Sequence, residues 1–198
     1  MSTFIKICGI TDAVAAATCV EAGVDAVGFV FSESPRRLDP EVAAEIAAAI
    51  PAGIARVAVF RRPAQTEVDA VLALFPADLV QADHDALPAT IPGAAMLPVF
   101  RESVAQVGGH RRFLYEGPNS GVGQGVDLDR AADAARLGEM ILAGGLRPDN
   151  VAGSILRVRP FGVDVSSGVE SAPGVKDPAL IRSFVAAVRA ADERLVSV

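Results

Sequence analysis

The chain has 198 residues, 51% of them hydrophobic and 5% aromatic, with a formal net charge of −6. That length supports one domain with a substantial core, and the acidic balance argues against nucleic acid as the main partner while leaving room for a small anion held by a few local donors. Two cysteines cannot build a disulfide framework, no Cys/His cluster has metal-ligand spacing, no basic-then-apolar leader is visible, and the apolar runs fall well short of the ~20 residues of a bilayer span, so a cytoplasmic protein with reduced thiols, no metal and no membrane association is expected.

Short β-branched runs alternate with Ala-rich helical stretches. Phe4–Cys8 reads as a strand and Asp12–Glu21 as a helix, capped by Thr11 or Asp12. Ala26–Phe31 is a second strand, followed by a polar loop through Arg37. Asp39 as N-cap and Pro40 at the first helical position open a helix to Ile50. Ile54–Phe60 is the third strand, with a helix over Ala64–Leu74. Leu79–Ala82 is the fourth, and the Pro-bounded stretch Asp83–Pro92 leaves space only for an abbreviated helix. Ala95–Phe100 is the fifth strand, followed by a brief helix at Val104–Val107. Arg112–Glu116 is the sixth; Gly117–Gly125 is a Gly-rich loop and candidate lid, and Asp127–Ala135 a helix. Glu139–Ala143, a helix over Pro148–Val158, Gly162–Val165 and a closing helix over Asp177–Ala191 complete the chain.

Eight strand–helix units without a linker imply a parallel sheet with right-handed crossovers. The expected architecture is a closed α/β (β/α)₈ TIM barrel, a single domain over residues 1–198. It is shorter than the usual ~250 residues and therefore sparsely decorated. An open doubly wound sheet is the alternative.

Barrel sites lie at the C-terminal ends of the strands. Lys6 and Cys8 end the first strand and share a face. Cationic neighbours would lower the pKa of the Cys8 thiol and let it act as a base, although a cysteine there can equally be a small buried hydrophobe. Cys19, within the first helix, reads as packing. Glu116 ends the sixth strand, and alternation puts it on the face of Leu114, opposite Phe113 and Tyr115. A thiolate and a carboxylic acid across one pocket could remove and donate protons together. Arg36 and Arg37 could grip a carboxylate in bidentate fashion or be solvated loop charges. Asp164 could orient a ligand hydroxyl or amine, or pair with Lys6. His84 reads as surface. Gly144-Gly145 and Ser166-Ser167-Gly168, after the seventh and eighth strands, form a candidate phosphate site, because glycines admit backbone N–H groups to the oxygens and serines add hydroxyl donors.

Several blocks carry a resemblance: Ile5-Lys6-Ile7-Cys8-Gly9-Ile10-Thr11, Ala26-Val27-Gly28-Phe29-Val30-Phe31, Ser34-Pro35-Arg36, Ala143-Gly144-Gly145-Leu146-Arg147-Pro148-Asp149-Asn150-Val151, Gly162-Val163-Asp164-Val165-Ser166-Ser167-Gly168-Val169-Glu170 and Pro173-Gly174-Val175-Lys176-Asp177. In this order they resemble the phosphoribosylanthranilate isomerase family of tryptophan biosynthesis. The resemblance runs from residue 4 to residue 190 and is most specific in the first and last blocks.

It implies a (β/α)₈ barrel that performs a cofactor-free Amadori rearrangement on a small anionic phosphosugar. N-(5-phosphoribosyl)anthranilate becomes 1-(2-carboxyphenylamino)-1-deoxyribulose 5-phosphate. It further implies Cys8 as general base, Arg36 near the anthranilate, Asp164 at the strand-eight aspartate position, and Gly144, Gly145, Ser166, Ser167 and Gly168 as phosphate loops. Lys6 joins Arg36 and Asp164 as a candidate substrate contact.

Two positions depart from the family pattern. The family's general acid is an Asp at the end of strand six. Here ungapped spacing back from Gly123-Gln124-Gly125 puts Tyr115 at that position, one deletion puts Glu116 there, and strand parity favours Glu116. After strand four the family often shows Gln-Leu-His-Gly, where this chain has Gln81-Ala82-Asp83-His84. The expected function is therefore the family isomerase with Cys8 as base and Glu116 as acid. A related sugar-phosphate isomerase of altered specificity and a catalytically silent phosphate-binding barrel are the alternatives. A monomer is expected, since no heptad, exposed apolar helix or edge strand suggests an interface.

Overall fold

The computed structural model describes residues 2–101, 107, 109–117 and 125–196. Eight parallel strands close on themselves in sequence order: β1 (Phe4–Cys8), β2 (Ala26–Val30), β3 (Ala55–Val59), β4 (Leu79–Asp83), β5 (Ala95–Arg101), β6 (Arg112–Glu116), β7 (Glu139–Leu142) and β8 (Gly162–Val165). Pairing of β8 with β1, Lys6 opposite Asp164, closes the barrel and rules out the open sheet. The outer layer holds α1 (Ala13–Ala22), α2 (Pro40–Ala47), α3 (Gln65–Leu72), α4 (Leu128–Ala135), α5 (Val151–Val158) and α6 (Pro178–Val196). A single 3₁₀ turn, His84–Ala86, stands in the abbreviated fourth crossover. The helix expected at Val104–Val107 lies outside the described residues apart from Val107, as does most of the Gly117–Gly125 loop. Among the described residues no helix is long and apolar enough to cross a membrane.

Local chemistry sets the boundaries. The Asp12 carboxylate accepts from the Ala15 N–H at 2.8 Å to start α1, and Gly23 ends it in the left-handed region. Asp127 caps α4 through the N–H groups of Asp129 and Arg130. α5 begins at Val151, three residues later than expected from Pro148. The delay has a cause: Asn150 Oδ1 accepts from Arg147 N–H at 2.8 Å and Asn150 Nδ2 donates to Gly145 O at 2.9 Å, which holds residues 147–150 in a turn. Between β8 and α6 lies a short antiparallel hairpin that the strand–helix alternation does not predict, β9 (Glu170–Ala172) and β10 (Val175–Lys176).

Strand alternation sorts the side chains into two cores. Ile5, Ile7, Val27, Phe29, Phe113, Tyr115, Met140 and Val163 face outward and join the helices in the larger cluster. Each buried aromatic or large aliphatic side chain there contributes roughly 1.5–3 kcal/mol. Facing inward are two smaller clusters, one of Cys8, Ala26, Val30, Val57 and Val59, the other of Leu97, Val99, Leu114, Ile141 and Ala143. At the N-terminal end Phe4 stacks on Phe161 with centroids 5.6 Å apart, and the Arg112 guanidinium lies over the Phe161 ring at 4.5 Å. This floor closes the barrel and leaves the opposite end for chemistry.

Candidate active site

At the C-terminal end of the strands, inward-facing side chains and the βα loops enclose a cavity of about 710 Å³. Its lining includes Cys8, Arg36, Gln81, Arg101, Glu116 and Asp164, with Gly144, Gly145, Ser166, Ser167 and Gly168 on the β7–β8 side. All but one of the residues expected at the site therefore meet in one place. The exception is Lys6, which is fully buried inside the barrel and absent from the cavity wall.

Lys6 is a long cation that points inward one pleat below Cys8. Its Nζ donates to Asp164 Oδ1 at 2.8 Å, across the β1–β8 pair. Burial opposes the Lys6 charge, but attraction to Asp164 and then to Cys8 outweighs it and raises the Lys6 pKa above its ordinary value. Lys6 is thus a permanent charge beneath the thiol, and a ligand in the cavity would meet Asp164 and Cys8 instead.

Cys8 is 6% exposed. Gly28 of β2 sits beside it in the ladder, and a Cβ there would lie 3.0 Å from Cys8 Sγ and 3.2 Å from Val59 Cγ2. The thiol occupies space that only glycine leaves open. The expectation of a lowered thiol pKa is corrected. Burial dominates and pushes it above 9.0, Lys6 and Lys176 pull it back, and Asp164 pushes it further up. The sequence displays the cations but not the dryness of the site. Burial therefore favours the thiol form of Cys8. Cys19, buried in α1, is pushed up by burial to about 12, in keeping with a packing role.

Strand β6 turns Tyr115 and Glu116 to opposite sides. Tyr115 is fully buried in the outer core, whereas Glu116 lines the cavity. Glu116 has a partner that the sequence did not suggest. Arg101, the last residue of β5, lies directly opposite it in the ladder and donates Nη1 to its carboxylate. Arg101 Nη2 donates to Asp83 Oδ1 at 2.7 Å. Asp83 ends β4 and is buried behind Arg101. His84 stacks on Phe100 with centroids 4.5 Å apart and is not part of the cavity wall.

On the other side of the mouth, Arg36 is neither free to fork onto a ligand nor solvated. Its Nε and Nη2 already grip both oxygens of Glu170, at 2.7 and 2.8 Å. Arg37 is exposed. Lys176 adds a second cation to Glu170 at 2.7 Å and donates to Ser166 O at 3.0 Å. Burial opposes the Glu170 charge, but these bonds outweigh it and lower its pKa. Thr11 Oγ1 donates to Gly174 O at 2.8 Å, and Gly174, at φ +82°, packs so near Pro35 that a Cβ would approach its carbonyl oxygen to 2.6 Å. The β9–β10 hairpin therefore straps the loops after β1, β2 and β8 together. Pattern reading could not find this strap, since Glu170 and Lys176 sit in no periodic element. A carboxylate and an ammonium flanking a Pro-Gly turn are the only trace.

The loops after β7 and β8 touch closely. Gly144 and Gly145 both have positive φ, 94° and 67°. A Cβ on Gly168 would fall 1.9 Å from Leu146 O, so the two loops can meet only through a glycine. The result is a mouth lined by small residues and hydroxyls, suited to a compact anion.

A family model described as N-(5′-phosphoribosyl)anthranilate isomerase matches residues 5–187. The N-(5′-phosphoribosyl)anthranilate isomerase of Paracoccus denitrificans (strain Pd 1222) is 42% identical over 208 aligned residues, covering 94% of this chain and 97% of that protein. The crystal structure of TrpF from Jonesia denitrificans superposes with a TM-score of 0.84 at 34% identity, covering 96% of this chain and 98% of that one. A phosphoribosyl anthranilate isomerase solved in complex with reduced 1-(o-carboxyphenylamino)-1-deoxyribulose 5-phosphate gives a TM-score of 0.80 at 30% identity, covering 95% and 99% of the two chains.

Proposed function

The chain belongs to the N-(5′-phosphoribosyl)anthranilate isomerase family, and we propose that it isomerises that phosphosugar with Cys8 as general base and Glu116 as general acid. The isomerisation is the activity for which the matched relatives are named. The observation that carries the residue assignment is the placement of the Cys8 thiol and the Glu116 carboxyl group on the wall of a single cavity, at the ends of strands β1 and β6. Glycine and serine loops suited to a phosphate complete the wall.

The chemistry needs no external electron donor or acceptor. Protonated Glu116 gives its proton to the furanose ring oxygen as the C1′–O bond breaks, and the nitrogen lone pair forms the C1′ iminium. The Cys8 thiolate takes the C2′ proton, and the C–H electrons form the C1′–C2′ double bond of the enolamine. The enolamine relaxes to the ketone by moving its enol proton to C1′. The productive pairing of thiolate and carboxylic acid differs from thiol and carboxylate only by the transfer of one proton between Cys8 and Glu116, with no change in net charge. A thiolate that is hard to form is also the stronger base once formed.

The phosphate rests on Gly144-Gly145 and Ser166-Ser167-Gly168. Arg36, held flat by Glu170, faces the anthranilate, and Asp164 meets the sugar or the amine. Two buried free thiols, one of them required as a base, fit a reducing cytoplasmic compartment.

The test is turnover of N-(5-phosphoribosyl)anthranilate by the purified protein, with Glu116→Gln beside it. Product formation by the wild type and a ~10²–10⁴-fold lower kcat in the variant are expected. A variant with full kcat would remove Glu116 from the acid role. A wild type inert on this substrate but active on other aldose phosphates would overturn the substrate assignment.

A further inference from the structure

Two unusual positions of the sequence, Asp83 at the end of β4 and Glu116 at the end of β6, are joined in the structure by one guanidinium. Arg101 Nη1 binds Glu116 and Nη2 binds Asp83. The three side chains are between 11 and 21% exposed, so the guanidinium and both carboxylates have lost most of their water. Arg101 and Glu116 reach the cavity wall, while Asp83 does not. Such a triad raises a difficulty for the acid role. A cation on a carboxylate favours its ionised form, yet a general acid must hold a proton when substrate is bound.

We propose that Asp83 and Arg101 are positioning residues that let Glu116 take up its proton without leaving a buried guanidinium unpaired. This inference rests on the reading of Glu116 as the acid. When Glu116 is ionised, Arg101 spans both carboxylates. When Glu116 is protonated, Asp83 alone keeps Arg101 charged, paired and in place. An arginine with Glu116 as its only carboxylate would resist that protonation, because breaking a buried pair strands the remaining charge. The negative charge of Asp83 also favours a proton on Glu116 directly. Among the described residues, the other charged or titratable groups on the cavity wall are Cys8, Glu33, Arg36, Arg61, Asp164 and Glu170, and Arg62 stands 4.0 Å from Asp83 but 2.7 Å from Asp85. β7, the other neighbour of β6, contributes only Ala143 and the two glycines after it at that level.

The test is the pH profile of kcat for the wild type, Asp83→Asn, Asp83→Glu and Arg101→Met, with Glu116→Gln as reference. If the base is harder to ionise than the acid, the acid limb of the profile tracks Glu116, and the plateau height tracks the share of enzyme with the proton on Glu116 and not on Cys8. Asp83→Asn is expected to move the acid limb to lower pH and to lower the plateau in proportion, about tenfold for each pH unit of displacement. Asp83→Glu restores both. Arg101→Met moves the limb the other way, to higher pH. The titration of the substrate phosphate is common to all variants and cannot separate them.

A limb that stays in place in both Asp83→Asn and Arg101→Met, whatever the plateau, would overturn the proposal. If Asp83→Asn does not fold, the upward shift of Arg101→Met and the unshifted limb of Asp83→Glu decide it. Full kcat in Glu116→Gln would refute the acid role itself. Lost kcat there, with unmoved limbs in the other variants, would refute only the part given to Asp83 and Arg101.

Discussion

Lys6 Nζ donates to Asp164 Oδ1 at 2.8 Å across the seam that closes the barrel, with Lys6 fully buried below the Cys8 thiol. The pair has two consequences. It fixes an aspartate on the cavity wall, and it places a positive charge next to a thiol whose pKa burial raises, pulling that pKa part of the way back.

Replacing Lys6 by Met removes that charge and leaves Asp164 buried without its partner. The basic limb of the kcat profile, which reports Cys8, should move to higher pH. Stability should fall by about 3–5 kcal/mol, as for other broken buried pairs. Urea unfolding and the pH profile measure the two effects separately. A stability loss with an unmoved basic limb would mean that Lys6 does not act on the thiol.

How much of this was legible beforehand depended on whether a feature is local. The period-two alternation of β6 is local, and it puts Leu114 and Glu116 on one face and Tyr115 on the other, without saying which face is inside. The Gly144-Gly145 and Ser166-Ser167-Gly168 loops were legible for the same reason. Lys6 was put on the right face but at the wrong depth, because alternation gives side and not height along the barrel. Arg101 was missed because its partners lie 18 and 15 residues away and meet it only when strands four to six pair. The direction of the Cys8 pKa is not legible in the sequence, which shows the cations but not the desolvation. The Glu170–Lys176 strap was invisible because its contacts reach back to Thr11, Pro35 and Arg36.

Gly28→Ala should damage catalysis more than stability. The added methyl lies 3.0 Å from Cys8 Sγ and 3.2 Å from Val59 Cγ2, so the thiol must shift. The shift required is a few tenths of an ångström, against about 10²-fold in rate for a ~1 Å misplacement. Steady-state kinetics should show kcat reduced severalfold with KM changed much less. An unchanged kcat would show that the thiol tolerates displacement.

The Glu170 carboxylate, with its pKa lowered from 4.5 despite burial, contributes stability that is fully present above about pH 4.5 and is lost as the pH falls through its folded value. Thermal melts of wild type and Glu170→Gln should therefore differ most near neutrality and converge in acid. At neutral pH the variant should also bind substrate more weakly, because Arg36 loses one of its two carboxylate oxygens. Melting curves that differ equally at pH 3 and pH 7 would contradict the ionic role.

In the empty enzyme Cys8 should behave as a reluctant nucleophile. Burial pushes its pKa above the ordinary thiol value, so little of it is thiolate at pH 7. The rate of carbamidomethylation by iodoacetamide should keep rising through pH 9, with a single adduct, since Cys19 is buried and pushed up to about 12. A rate that levels off by pH 8 would show a thiolate stabilised in the absence of substrate.

The central claim is that the thiol at the end of β1 removes the C2′ proton. The most direct measurement is kcat for Cys8→Ala on N-(5-phosphoribosyl)anthranilate, with the fold checked by circular dichroism. A folded variant whose kcat is lower by ~10²–10⁴-fold, with KM near that of the wild type, is the expected result. A folded variant that turns over at the wild-type rate would contradict it.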